Sequence, residues 1–260
     1  MNKRGLEGNL TNTIIWIIAT ILLLVIGMMI YTNYSQKTPE EACRASVVIQ
    51  ANTKIGGKSP FDFNCQRKFV TMGTNQVKTS YIAGQEGNPE SIQTDTGKIS
   101  KYPSATNDVV NYVIANEMQK CWYMFGEGNV DVFQNKVFAD YNACFICAEV
   151  RFNTDVPKTE FHGLLEFMKT HNIANQKESY QAYLTSGQQP YKPWSDLVAE
   201  SSDTYNSIST EDTQYIVFIK NVPWILVRDW SIQLGKNKNS YYVVMYNDTS
   251  INYHCSFIAN

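Results

Sequence analysis

A chain of 260 residues with 22 Lys and Arg against 24 Asp and Glu carries a formal net charge of −2, so it lacks the basic surplus needed to neutralise phosphates, and nucleic acid is excluded as a partner. Aromatic residues make up 13% of the chain, enough to build a core, which excludes disorder throughout. The length fits one or two domains.

Residues 1–13 read as a short cytoplasmic tail. Residues 14–31, IIWIIATILLLVIGMMIY, hold no charge and only Thr20 as a polar break. At about 1.5 Å per residue they span about 27 Å, which predicts a transmembrane helix with the lipid bilayer as its partner. Trp16 and Tyr31 sit near its ends, where interfacial aromatics belong. The run exceeds the apolar core of a cleaved signal peptide and no A-x-A site follows, so the reading is an uncleaved signal-anchor. Lys3 and Arg4 before the run balance Lys37 and Arg44 after it, so charge does not orient the chain. The cysteines do: all 6 follow the run, which favours an oxidising compartment for the bulk of the chain. The expectation is a single-pass protein of the cell membrane with its bulk extracytoplasmic.

Residues 32–42 form a polar stalk, and residues 43–260 an extracytoplasmic domain. Within it, RASVVIQANTKI (44–55) reads as a strand and QRKFVTM (66–72) as a second, short one. Residues 76–106 are rich in turn formers and read as a long polar loop with room for one small hairpin. In NDVVNYVIANEMQKCWYMFGEG (107–128), Asn107 can cap a helix that Gly126 stops. Val110, Ile114, Met118, Cys121 and Phe125 share one face of it. Glu117 lies at the edge of that face and reads as a solvated charge.

CFICAEVRF (144–152) alternates as a strand: Cys144, Ile146, Ala148, Val150 and Phe152 on one face, Phe145, Cys147, Glu149 and Arg151 on the other. An amphipathic helix over 158–171 and a short one over 179–184 follow. Residues 186–212 read as loop. Strands are expected at 214–221 and 240–248, and a last one over 251–258 carries Cys255. The order predicts an α+β fold: an N-terminal transmembrane helix, then a disulfide-stapled domain with a largely antiparallel sheet and two or three helices.

Cys144 and Cys147 decide the chemistry. A catalytic C-x-x-C sits at a helix N-terminus, where the thiol pKa falls. Here the pair lies within a strand pattern, and positions three apart face opposite sides of a sheet. Two such sulfurs neither bond each other nor chelate one ion without a bulge. They read as separate anchors: Cys121 with Cys144, Cys147 with Cys255, Cys43 with Cys65. A zinc site from Cys121, Cys144, Cys147 and His254 or Cys255, and a redox pair, remain alternatives. No cofactor is indicated. His162, His171 and His254 form no ligand pair, and HExxH, GxSxG, P-loop and EF-hand patterns are absent. FGEG is a helix stop and not a phosphate cradle. Asn247-Asp248-Thr249 is a glycosylation sequon. The tyrosines of NSYYVVMY suit either a contact surface or a core.

CWYMFGEG (121–128) followed by CFIC (144–147), together with the KRGLEG start, resembles a group of uncharacterised archaeal single-span membrane proteins over residues 43–152. The resemblance implies location and architecture and no activity. NKRG followed by Leu6 and Glu7 is similar to a prepilin signal, cut after Gly5, which implies a filament subunit. The sequence therefore points to a non-catalytic binding or envelope-structural role, with a pilin-like subunit and a thiol or zinc enzyme as alternatives. The protein partner, or self-association, is left open.

Overall fold

The computed structural model describes residues 4–35, 38–53, 65–82, 99–102, 104–130, 142–185, 207–221, 240–247, 251, 255 and 257–259. Two compact units divide at Thr38 and Pro39.

The first unit carries one helix, α1 (Arg4–Ser35). Its side chains are described over residues 13–28, where Ile14, Trp16, Leu23 and Met28 are among many exposed apolar groups. No helix among the described residues is long and apolar enough to cross a membrane. This overturns the expected transmembrane helix over 14–31 and, with it, that part of the fold prediction.

The second unit opens with α2 (Pro39–Asn52) where a strand was expected. Three β-branched residues in a row suggested that strand. Local signals for helix outweigh them: Pro39 holds a helical φ at the first position, and Glu40 and Glu41 complement the dipole in the first turn. Cys43 and Val47, four apart, are then buried on one face. Next come β1 (Arg67–Met72), β2 (Gln76–Ile82) and β3 (Ile99–Lys101). The stretch read as a polar loop thus begins and ends in antiparallel strands, β2 against β3, while residues 83–98 lie outside the described set.

α3 (Asn107–Met124) is the main helix. Thr106, not Asn107, caps it, its hydroxyl accepting from the Val109 N–H at 3.4 Å. Asn107 instead accepts from the His162 N–H at 2.9 Å through Oδ1. After Phe125 the chain makes a left-handed turn, with φ of 72° at Gly126, 57° at Glu127 and 72° at Gly128. Glycine tolerates this backbone; Glu127 carries the strain. β4 (Asn142–Phe152), β5 (Glu160–Phe161), α4 (Leu164–Thr170), α5 (Tyr180–Thr185), β6 (Ile208–Ser209), β7 (Gln214–Asn221), β8 (Ser240–Asn247) and β9 (Phe257–Ala259) complete the described elements.

The sheet is mixed, with four antiparallel and two parallel pairings: its order is β3-β2-β1-β4-β7-β8, with β9 also on β4. β1 and β9 both run parallel to β4, β1 along residues 148–152 and β9 along 143–145. The α3 crossover between the β1–β3 hairpins and β4 is the sort of connection a parallel pair needs. On the other side β4 pairs antiparallel with β7, and the register slips between Ile146 and Ala148. Cys147 is the extra residue of that bulge.

The bulge resets which residues face the helices. Before it, Phe145 meets Phe125 of the α3 terminus, centroids 5.0 Å apart. Beyond it, Ala148 lies beside Lys68 in the β1–β4 register, and Lys68 reaches Glu117 of α3. Odd residues before the bulge and even residues after it thus share the helix side. Trp122 and Phe125 stack toward Phe218 of β7 over this face, centroids 6.1 and 4.2 Å away. Cys144, one position from Phe145, belongs to the opposite side.

Candidate functional site

Three disulfides hold the second unit together, and they use all six cysteines. Cys43–Cys65 ties α2 to the start of β1, as the sequence suggested. The other two are exchanged relative to expectation: Cys121 bonds Cys147, and Cys144 bonds Cys255. Cys144 and Cys147 do serve different sides of the sheet. The bulge at Cys147 breaks the simple alternation, so Cys147 faces α3 and Cys144 faces away from it, the reverse of the expectation. The sulfurs of the zinc alternative (Cys121, Cys144, Cys147) are therefore consumed in crosslinks, and His254 lies outside the described residues. No group of three or more His, Cys, Asp or Glu among the described residues is placed to hold a metal ion. Cys144 and Cys147 do not bond each other, as the redox alternative required.

The remaining predicted positions are scattered. Asn247 ends β8 opposite Gln214, and the rest of its sequon lies outside the described residues. His162 is exposed, 4.0 Å from Glu160, and His171 stacks on Phe167 at 4.0 Å. Tyr246 of the tyrosine-rich strand is buried.

The structure gathers a different set, which the sequence reading missed apart from Glu117. Glu117, read as a solvated charge, is 5% exposed. Its Oε1 accepts from Lys68 Nζ at 2.8 Å and from Lys120 Nζ at 3.0 Å. Lys68 points inward from β1 with Val70 and Met72, the alternation of a half-buried strand. Lys120 lies one turn on from Glu117 along α3. Glu40, in the first turn of α2, stands 3.7 Å from Lys68 and accepts from the Tyr81 hydroxyl at 2.7 Å. The Tyr81 ring also faces Lys68, its centroid 5.5 Å from Nζ. Pro39, Tyr81, Cys147 and Ala148 help wall a small cavity beside these groups, with ≈ 10 Å³ of room, about what one water needs.

The electrostatics follow from burial and pairing. Burial pushes the Lys68 amine below its ordinary value, against the pull of Glu117 and Glu40. Burial also opposes the charge on Lys120, but Glu117 outweighs it and the amine sits above its ordinary value. For Glu40, burial works against ionisation. The Tyr81 hydroxyl, the residue's own backbone N–H and the two lysines together outweigh it and hold the carboxyl below the usual range. Two cations and two anions thus share one enclosed place, fed by α2, β1, β2 and α3 and floored by β4. Such a set can bind a charged group.

A second polar contact lies at the α3 terminus. Tyr183 of α5 donates to Glu127 Oε1 at 2.6 Å, and Arg44 of α2 approaches the same oxygen at 3.3 Å. Arg44 also donates to the Tyr123 carbonyl at 2.8 Å and covers the Tyr123 ring at 4.1 Å. A cation at a helix C-terminus satisfies its last carbonyls and its dipole. This contact anchors α2 and α5 to the turn and is structural.

A signal for the buried cluster was present in the sequence. Lys68 occupies an inward position of a strand and Glu117 borders an apolar helix face, so each charge needs a partner from another element. Which partner is a matter of tertiary register. No known protein family, curated protein or solved structure matches this chain.

Proposed function

We propose that this protein is an extracytoplasmic, disulfide-stapled binding domain with a non-catalytic or envelope-structural role. The observation that carries the reading is the set of three disulfides. Crosslinks of this kind persist in oxidising compartments and are rare where thiol reductants are maintained. The buried Glu40–Lys68–Glu117–Lys120 cluster supports binding over catalysis, because its charges are turned toward one another and toward a small cavity. The test is labelling of intact cells with a membrane-impermeant amine reagent. Recovery of labelled lysines from residues 39–260 is the expected result. Labelling only after lysis would refute the location.

A second reading, a filament-type subunit that self-associates, is favoured by one observation: the exposed apolar side chains of α1 between Ile14 and Met28. Apolar surface on that scale needs a covering partner. This reading predicts a mature chain beginning at Leu6 and a large assembly in solution. A monomeric chain with an intact Met1 end would sink it.

A further inference from the structure

We propose that Lys68, Lys120 and Tyr81 form a binding site for a small aliphatic carboxylate, and that Glu40 of the chain's own α2 fills that site in this structure. The inference rests on the binding reading above and names the ligand class.

The geometry makes the two carboxylates unequal. Glu117 is bonded to both amines through one oxygen, at 2.8 and 3.0 Å. It is a fixed part of the site, contributed by a buried position of α3. With it in place the two amines retain one uncompensated positive charge, which calls for one more negative charge and not a dianion. Glu40 supplies that charge from a distance. It takes the Tyr81 hydroxyl at 2.7 Å but stops 3.7 Å from Lys68, beyond hydrogen-bond reach. The ≈ 10 Å³ of open space lies in the same place. A carboxylate free of a helix backbone keeps the Tyr81 contact and closes on Lys68, gaining a charge-assisted hydrogen bond that Glu40 lacks.

The occupant comes from one end of a helix that is also anchored elsewhere. Glu40 sits in the first turn of α2, and that helix buries only Cys43 and Val47, both further along. The Cys43–Cys65 bond and the Arg44 contacts hold α2 in place without any contribution from Glu40. Lys68 and Glu117, at 6% and 5% exposed, are anchored on β1 and α3, and the Glu40 side chain that meets them is 14% exposed. A tethered side chain resting on a cation pair is a competing intramolecular ligand, and it lowers the apparent affinity for the free one by the fraction of time it is bound.

The probe is sodium acetate, titrated into the full chain with its disulfides intact, against sodium chloride at equal ionic strength, with binding followed by NMR shifts of the lysine side chains. Glu40→Ala empties the position and is expected to bind acetate at least tenfold more tightly than the unsubstituted chain. Lys68→Met in that background is expected to lose the gain. Glu40→Gln, which still occupies the position, is expected to show no such gain. Glu40→Ser serves if the alanine variant does not fold. Equal acetate binding with and without Glu40, retention of binding without Lys68, or equal shifts in chloride would overturn the proposal. Failure of the surface-labelling test would remove the location but leave this titration unaffected, so the two failures are distinguishable.

Discussion

Removing Glu117 is expected to cost more than removing either of the lysines it binds, and the order is set by burial. The Glu117 side chain is 6% exposed and the Lys68 side chain 7%, whereas Lys120 is 32% exposed. Glu117→Leu leaves Lys68 buried with its nearest carboxylate 3.7 Å away on Glu40. An uncompensated buried charge costs about 3–5 kcal/mol. Lys68→Met leaves Glu117 still bonded to Lys120 at 3.0 Å, so the loss should fall to about 1–3 kcal/mol. Lys120→Met removes a largely solvated partner and should cost about 0–1 kcal/mol. The double variant Glu117→Leu with Lys68→Met removes both buried charges and should lie within roughly 1 kcal/mol of the parent. The assay is equilibrium urea unfolding of the oxidised chain, monitored by near-UV circular dichroism, with the double-mutant cycle computed from four midpoints. A Glu117→Leu loss below about 1 kcal/mol, or a double variant that costs the sum of its singles, would refute the burial argument.

Gly126→Ala should destabilise the second unit by roughly 2–3 kcal/mol in the same assay, because an added Cβ would meet Val130 Cγ2 at 2.5 Å on a backbone with φ of +72°. Tyr180→Phe should leave stability unchanged or raise it by about 1 kcal/mol. The Tyr180 hydroxyl is buried without a hydrogen-bond partner among the described residues, and burial with Tyr112 nearby pushes its pKa up to about 12. Acid should weaken the attachment of α2. The Glu40 carboxyl is held below its ordinary value in the folded chain, so its contribution is present above the unfolded pKa of about 4.3 and is lost as pH falls through the folded value. Glu40→Gln should therefore flatten the acid limb of a stability-versus-pH curve, and an unchanged limb would count against the assigned partners.

Much of the secondary structure was legible because periodicity is a local property. β4, β7 and β8 declared themselves by alternating or continuous apolar runs, and α3 by five inward positions at helical spacing. α2 was not legible because Val47, Val48 and Ile49 are β-branched, a local strand signal, while its proline and two glutamates mark only the helix start. Strand parity was legible and its anchor was not. Nothing local marks Cys147 as a bulge residue, and that one extra residue exchanged two disulfide partners. The buried cluster was least legible. Lys68 and Glu117 lie 49 positions apart, and their meeting depends on the parallel placement of β1 beside β4 under α3. Solvation is the default fate of a lone charge in a sequence, and only tertiary register shows when a partner replaces water.

The central claim is that Cys144 and Cys147 tether opposite sides of one sheet to different parts of the chain. It is tested most directly by mass spectrometry of unreduced peptides from the native protein, cleaved between residues 144 and 147 after free thiols are blocked. The predicted result is three crosslinks, Cys43–Cys65, Cys121–Cys147 and Cys144–Cys255, with no blocked thiol. A Cys144–Cys147 link, a Cys121–Cys144 link, or six blocked thiols would contradict it.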